Sequence, residues 1–283
     1  MAVVVTAALL VWHRSAGSGD RADAHDAPAH AAGGSGIGHV HALAVNPGDG
    51  GLYVASHTGL YRLAGHQPLH RVGDRQPDLM GFAVAGPNHF LASGHPDPRD
   101  GGPHNLGLIE STDAGRTWRT LALGGDADFH ALTVTGDRTY GYESHGRTLY
   151  TSTDRRSWDT VAVPAVRSLA GHPQHPEVLI AAASAAIVMS VDGGGTWNPV
   201  PGAPAATLVA WGAADQLWAV DAAGNVHQSA DQAASWTATG AVTGAVDAVG
   251  ANGTELYVAL RAGDIVSSAD GGRTWSARHT PSS

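Results

Sequence analysis

Two residue types are missing from this 283-residue chain. There is no cysteine, which excludes disulfide staples and thiolate chemistry and leaves composition silent on redox compartment. There is no lysine either. All 16 cationic side chains are arginine, and the formal net charge of −9 argues against a nucleic-acid partner. Charged residues make up only 14% of the chain, and the three methionines, Met1, Met80 and Met189, are too few for a soft Cu(I) site. Long apolar runs are also lacking. The stretch MAVVVTAALLVW at 1–12 holds about eleven apolar residues, against the ~20 that a membrane span needs. It fits a secretory h-region better, although the usual basic leader is missing from this sequence. Residues 13–36 have no apolar period and read as a flexible His-, Asp-, Ala- and Gly-rich tether. Export or surface anchoring is expected.

What remains favours β-structure. With 43% hydrophobic residues the chain can build a core, and 38 glycines and 15 prolines point to many short strands joined by tight turns. One motif recurs: STDAGRTW at 111–118, STDRRSW at 152–158, SVDGGGTW at 190–197, SADQAASW at 229–236 and SADGGRTW at 268–275. Its serines are 41, 38, 39 and 39 residues apart, the period of a four-stranded propeller blade. Counting back from the motifs gives six blades, at 37–73, 74–124, 125–164, 165–203, 204–241 and 242–280. The first lacks the motif but keeps HALAVNPGDGGLYVASHTGLYRL as three strands and LHRVG as a fourth. The domain at 37–283 is therefore expected to be an all-β, six-bladed, monomeric propeller of four-stranded antiparallel blades.

The pattern S-x-D-x-G-x-T-W resembles the Asp-box, or bacterial neuraminidase repeat, of sialidase-like propellers. The resemblance implies that each box is a hairpin between the third and fourth strands of its blade. There Asp accepts backbone N–H bonds, Gly takes positive φ, and Trp buries its face between blades. Asp113, Asp192 and Asp270 are on this reading structural.

Histidine is the anomaly, with 17 residues, more than the arginines. Ten fall in blades one to three and four in blades four to six. In an antiparallel meander the entry to strand one and the loop from strand two to strand three share a face, opposite the boxes. His39 and His41 enter the first strand of blade one, and His57 sits in its second-to-third loop. His95 and His104 belong to the long loop of blade two, while His130 and His145 take the matching places in blade three. Period-two alternation puts His39 and His41 on one side of their strand. Neutral imidazoles with one or two carboxylates suit Zn²⁺ or Cu²⁺, so one ion bound through His41, His57, His95 and His130 is expected, with His39, His104 or His145 as substitutes. The segments HVHAL, ASHTGL, MGF, SGHPDP, LGLIESTD and DFHAL are similar to exported bacterial Asp-box proteins described as sialidase- or glycosyl-hydrolase-like. That resemblance implies that His41, His57, His95 and His130 are motif residues, and it brings no reaction with it.

Two other functions compete. A glycoside hydrolase would pair carboxylates across the mouth, with Glu143, Asp97 and Asp247 as candidates beside Asp100 and Asp128, and Arg167 as an anion anchor. A sialidase in particular needs an arginine cluster and an opposed Tyr–Glu pair, and neither is evident, so sialosides are not expected to be cleaved. A non-catalytic propeller would instead dock a protein or glycan at its mouth.

Overall fold

The computed structural model describes residues 36–65, 67–184 and 186–281. The 1–12 segment and all but the last residue of the 13–36 tether lie outside the described residues. Among those described there are strands and turns but no helix. Blade one comprises β1–β4 (Val40–Val45, Leu52–Ser56, Gly59–Leu63, His70–Arg71) and blade two β5–β8 (Asp78–Gly86, His89–His95, Leu108–Ser111, Arg119–Ala122). Blade three is β9–β12 (Phe129–Thr135, Arg138–Glu143, Thr148–Ser152, Asp159–Ala162) and blade four β13–β16 (Val166–Gly171, Leu179–Ala183, Ile187–Ser190, Asn198–Pro199). Blade five is β17–β20 (Leu208–Trp211, Leu217–Val220, Asn225–Ser229, Thr237–Ala241), and blade six β21–β24 (Val246–Asn252, Glu255–Leu260, Ile265–Ser268, Ser276–His279). Each blade is a separate antiparallel sheet whose four strands follow chain order. The first strands of neighbouring blades pack in a ring, and β1 against β21 closes it. The six expected blades are all present.

Burial explains the sequence pattern strand by strand. The second strands, such as LYVAS, LIAAA and LWAV, are buried throughout, because blades cover them on both faces and no polar alternation is needed. The fourth strands form the exposed rim. First strands have one partly open side, since they line the axis. There the sheets crowd together. A Cβ on Gly81 would come within 2.5 Å of the Phe129 carbonyl, and one on Gly250 within 2.2 Å of the Leu43 carbonyl.

The five repeats form the turns between third and fourth strands. In blade two, Ser111 Oγ accepts the Gly115 N–H and donates to Asp113 Oδ1, while Asp113 accepts the N–H and the hydroxyl of Thr117. Ser190–Thr196 and Ser268–Thr274 repeat this set of bonds. Hydrogen bonds from Thr196 and Ser190 hold the Asp192 carboxyl at about 2, well below the ordinary range. Five of the six interblade cores take the tryptophan that follows a turn: Trp118, Trp158, Trp197, Trp236 and Trp275 each pack toward the preceding blade. Each buried indole face contributes on the order of 2 kcal/mol. The core between blades six and one has no tryptophan and is filled by Tyr61, Tyr257, Leu69 and aliphatic side chains.

Candidate metal centre

Both faces of the disc are as expected. The His57 N–H donates to the His39 carbonyl at one mouth, while the Ala114 N–H of a serine–aspartate turn meets the Asn88 carbonyl at the other. What the sequence conceals is a β-bulge near the start of five of the six inner strands. On β1 the register jumps from Val40↔Ser56 to Ala42↔Ala55, so His41 has no partner of its own. The same one-residue jump isolates Met80 on β5, His130 on β9, Arg167 on β13 and Asp247 on β21. A bulge bends the strand and re-aims the extra side chain. All five residues line an axial cavity of about 910 Å³. The bulge also gives His39 and His41 different carboxylate partners, although their rings stay 4.8 Å apart. His39 meets Asp247 of blade six, and His41 meets Asp78 of blade two.

Between blades one and two, His41 Nε2 lies 3.4 Å from His57 Nδ1 and 3.5 Å from Asp78 Oδ1, and His57 Nδ1 is 2.7 Å from Asp78 Oδ2. One donor atom from each of the three residues lies within 4.8 Å of the others. Ligands about 2.0–2.1 Å from a tetrahedral ion stand about 3.3 Å apart, close to the two longer separations. Asp78 Oδ1 is buried and accepts no hydrogen bond. Burial lowers the pKa of His41. Its hydrogen bond to Asp78 raises that of His57. Burial pushes the Asp78 carboxyl up, but the two imidazoles outweigh it and hold it well below the ordinary range. His39 backs the group, its ring 4.8 Å from that of His41 and its Nδ1 2.9 Å from Asp247 Oδ2.

The remaining predicted ligands gather elsewhere. His95 and His130 share Asp128, between blades two and three, with Nε2 to Oδ2 distances of 3.5 and 3.7 Å. The His104 ring is 4.5 Å from that of His95, and the His145 ring 6.1 Å from that of His130. The expected set of four imidazoles around one ion is therefore divided in two, because each of two blades inserts its own aspartate at the start of its inner strand. Asp78, the hub of the first group, is absent from the sequence-based candidates. Aligning DLMGF with HVHAL and DFHAL would have placed it, since it stands two residues before the bulge as His39 and Asp128 do.

The carboxylates considered for hydrolysis are already engaged. Asp97 is buried, pairs with Arg99 and accepts the Gln76 N–H, and Arg99 foremost holds its carboxyl well below the ordinary range. Glu143 caps its own loop by accepting the His145 and Gly146 N–H groups. Asp247 is held by His39 and Arg261, whose pull outweighs burial and lowers its pKa. A glycosidase acid needs the opposite shift, a carboxyl kept protonated. Arg167 is exposed at the mouth.

No protein-family model matches the chain, and no curated protein matches it. Solved structures do. YCF48 bound to D1 peptide is 16% identical, covering 86% of this chain and 83% of that one with a TM-score of 0.55. A chain of the nidogen/laminin complex is 12% identical over 77% and 88%, with a TM-score of 0.60. The GH74 xyloglucanase from Xanthomonas campestris is 17% identical over 87% of this chain but 46% of its own, with a TM-score of 0.57. At such identities the likeness is one of fold: this chain is a β-propeller whose structural neighbours include a glycosidase and proteins solved with peptide or protein partners.

Proposed function

We propose that this protein is an exported metal-binding propeller, holding Zn²⁺ or Cu²⁺ at the mouth opposite the Asp-box turns through His41, His57 and Asp78. One observation carries the reading: two imidazoles and a carboxylate from two blades bring donor atoms within 4.8 Å of one another. A divalent ion would replace the proton that His57 shares with Asp78 and would satisfy the buried Asp78 Oδ1. It would also add a link between two blades already joined by packing and by the Asn46–Asn88 hydrogen bonds. His39 and Asp247 form the outer layer, in which a carboxylate orients an imidazole next to the ligands. Three protein ligands would leave a coordination position free for a small ligand, and His41 also lines the axial cavity.

A docking role is the second reading, favoured by the fold likeness to YCF48 with its D1 peptide and to the nidogen/laminin complex. The two are compatible, since a metal at the mouth would stiffen the surface offered to a partner. Glycoside hydrolysis, the GH74 analogy, is less well supported because Asp97 and Asp247 are held ionised by arginines and Glu143 caps its own loop.

The test is metal analysis of tag-free protein after incubation with Zn²⁺ or Cu²⁺ and desalting, beside a His41→Ala/His57→Ala double variant. The native protein is expected to retain metal and to melt at a lower temperature after chelation. Equal, substoichiometric metal in both proteins would transfer the assignment to docking.

A further inference from the structure

We infer that the turn at residues 172–177 is an acid-sensitive latch between blades three and four, closed while the His172 imidazole is neutral and released when it takes a proton. The turn joins β13 to β14 on the face of the serine–aspartate turns and shares no residue with the metal centre. Three bonds to its carbonyls hold it down. From blade three, the Thr135 hydroxyl donates to the His172 carbonyl and the Tyr140 hydroxyl to the Pro176 carbonyl. From blade four's own serine–aspartate turn, the Gly193 N–H donates to the Glu177 carbonyl.

One side chain holds the inside of the turn. His172 is 1% exposed, and its Nδ1 accepts the backbone N–H groups of Gln174 and His175 at 3.0 and 3.1 Å. A backbone N–H only donates, so Nδ1 carries no hydrogen and the neutral ring has its hydrogen on Nε2. Nε2 is buried without a hydrogen-bond partner, and the Trp211 ring of blade five packs against the imidazole, 4.6 Å between centroids. An imidazolium would turn an N–H toward two N–H groups and place a charge where, among the described residues, no carboxylate pairs with it. Burial foremost, and then the neighbouring His175, lowers the His172 pKa against a weaker upward pull from Glu177. His175 and Glu177 are exposed on the same turn, while Thr135 and Trp211, presented by blades three and five, do not titrate.

Blade one makes the same turn without a titrating group. The Asn46 N–H meets the Gly51 carbonyl as the His172 N–H meets that of Val178, and a proline follows each residue. Asn46 Oδ1 accepts the Gly48 N–H as His172 Nδ1 accepts that of Gln174. An amide does in blade one what the imidazole does in blade four, with no response to pH. Because its folded pKa lies below the ordinary 6.5, the His172 latch is fully closed above pH 6.5. It weakens as pH falls from 6.5 toward the folded value, the open turn taking up a proton.

Amide exchange on the metal-free full chain tests this locally, since global melting also carries the His57–Asp78 pair. Protection factors of Gln174 and His175 are expected to fall by up to about tenfold per pH unit as pH drops below 6.5, and to stay level in His172→Asn. Level protection in the native protein overturns the latch, as does the same fall in the asparagine variant. Nitrogen-15 spectra of the native imidazole give a second reading that needs no variant. An Nε2–H tautomer at pH 8 with a titration midpoint below 6.5 supports the latch, and Nδ1–H, or a midpoint at 6.5 or above, overturns it.

Discussion

The two clefts teach different halves of how a repeat fold makes a binding site. Between blades one and two the donors have converged, but the His57 proton still bridges to Asp78 at 2.7 Å and must leave before an ion can enter. Between blades two and three His95 and His130 each approach Asp128, at 3.5 and 3.7 Å, but among the described residues only His41, His57 and Asp78 bring three donor atoms within 4.8 Å of one another. The repeat supplies the same place twice, an aspartate ahead of one inner strand facing the second-strand loop of the preceding blade. One residue at the bulge, His41 or Met80, decides how many donors share it from within that preceding blade.

Exchanging that residue has the largest expected effect. His41→Met should reduce Zn²⁺ affinity at the first cleft about a hundredfold, read by calorimetry. The first cleft should also show its own pH dependence. His57 has a raised pKa, so protons compete for it already above pH 6.5, while His41, lowered by burial, competes only at more acidic pH. Asp78, lowered by its imidazoles, stays ionised throughout that range. Affinity should accordingly fall by up to about tenfold per pH unit as pH drops through the raised His57 pKa, one proton being displaced per ion. The metal-free protein should trend the other way. The His57–Asp78 pair is fully formed below pH 6.5 and weakens as pH rises through the raised His57 pKa, so melting curves of loaded and chelated protein should diverge as pH rises above 6.5. The smallest effect belongs to the outer layer. His39→Ala, which frees Asp247 from an imidazole but removes no ligand, should cost about tenfold in Zn²⁺ affinity at the first cleft.

Much of the architecture was legible because the repeat marks it. Five serine–aspartate turns set the period, and Tyr53, Tyr140 and Tyr257, which recur at the same place in their second strands, are all buried. The histidines were legible as a group, since strand polarity alone decides which mouth they occupy. Their partition was not. A bulge shifts the register by one residue and leaves no compositional mark, so HVHAL reads as plain alternation although His39 and His41 turn toward different blades. Asp78 escaped notice for a related reason: it contacts residues of another blade, 21 and 37 positions away, and sits among DLMGF, which carries no histidine. His172 shows the converse. It is a buried imidazole whose Nδ1 accepts the Gln174 and His175 N–H groups, a turn-former on the opposite face.

The ring closes without strand exchange, by packing and the His39–Asp247 contact, since every blade takes its four strands from one continuous stretch of chain. For folding this keeps every strand pairing within one stretch of chain, so each blade can form as soon as its own forty or so residues are free. The packing of β1 against β21 joins residues about two hundred positions apart, and its core lacks the tryptophan wedge of the other five. Closure is then a late docking step of a nearly complete arc. The seam should be the first interface to exchange amide hydrogens on mild heating, with the blade-one histidines opening alongside it.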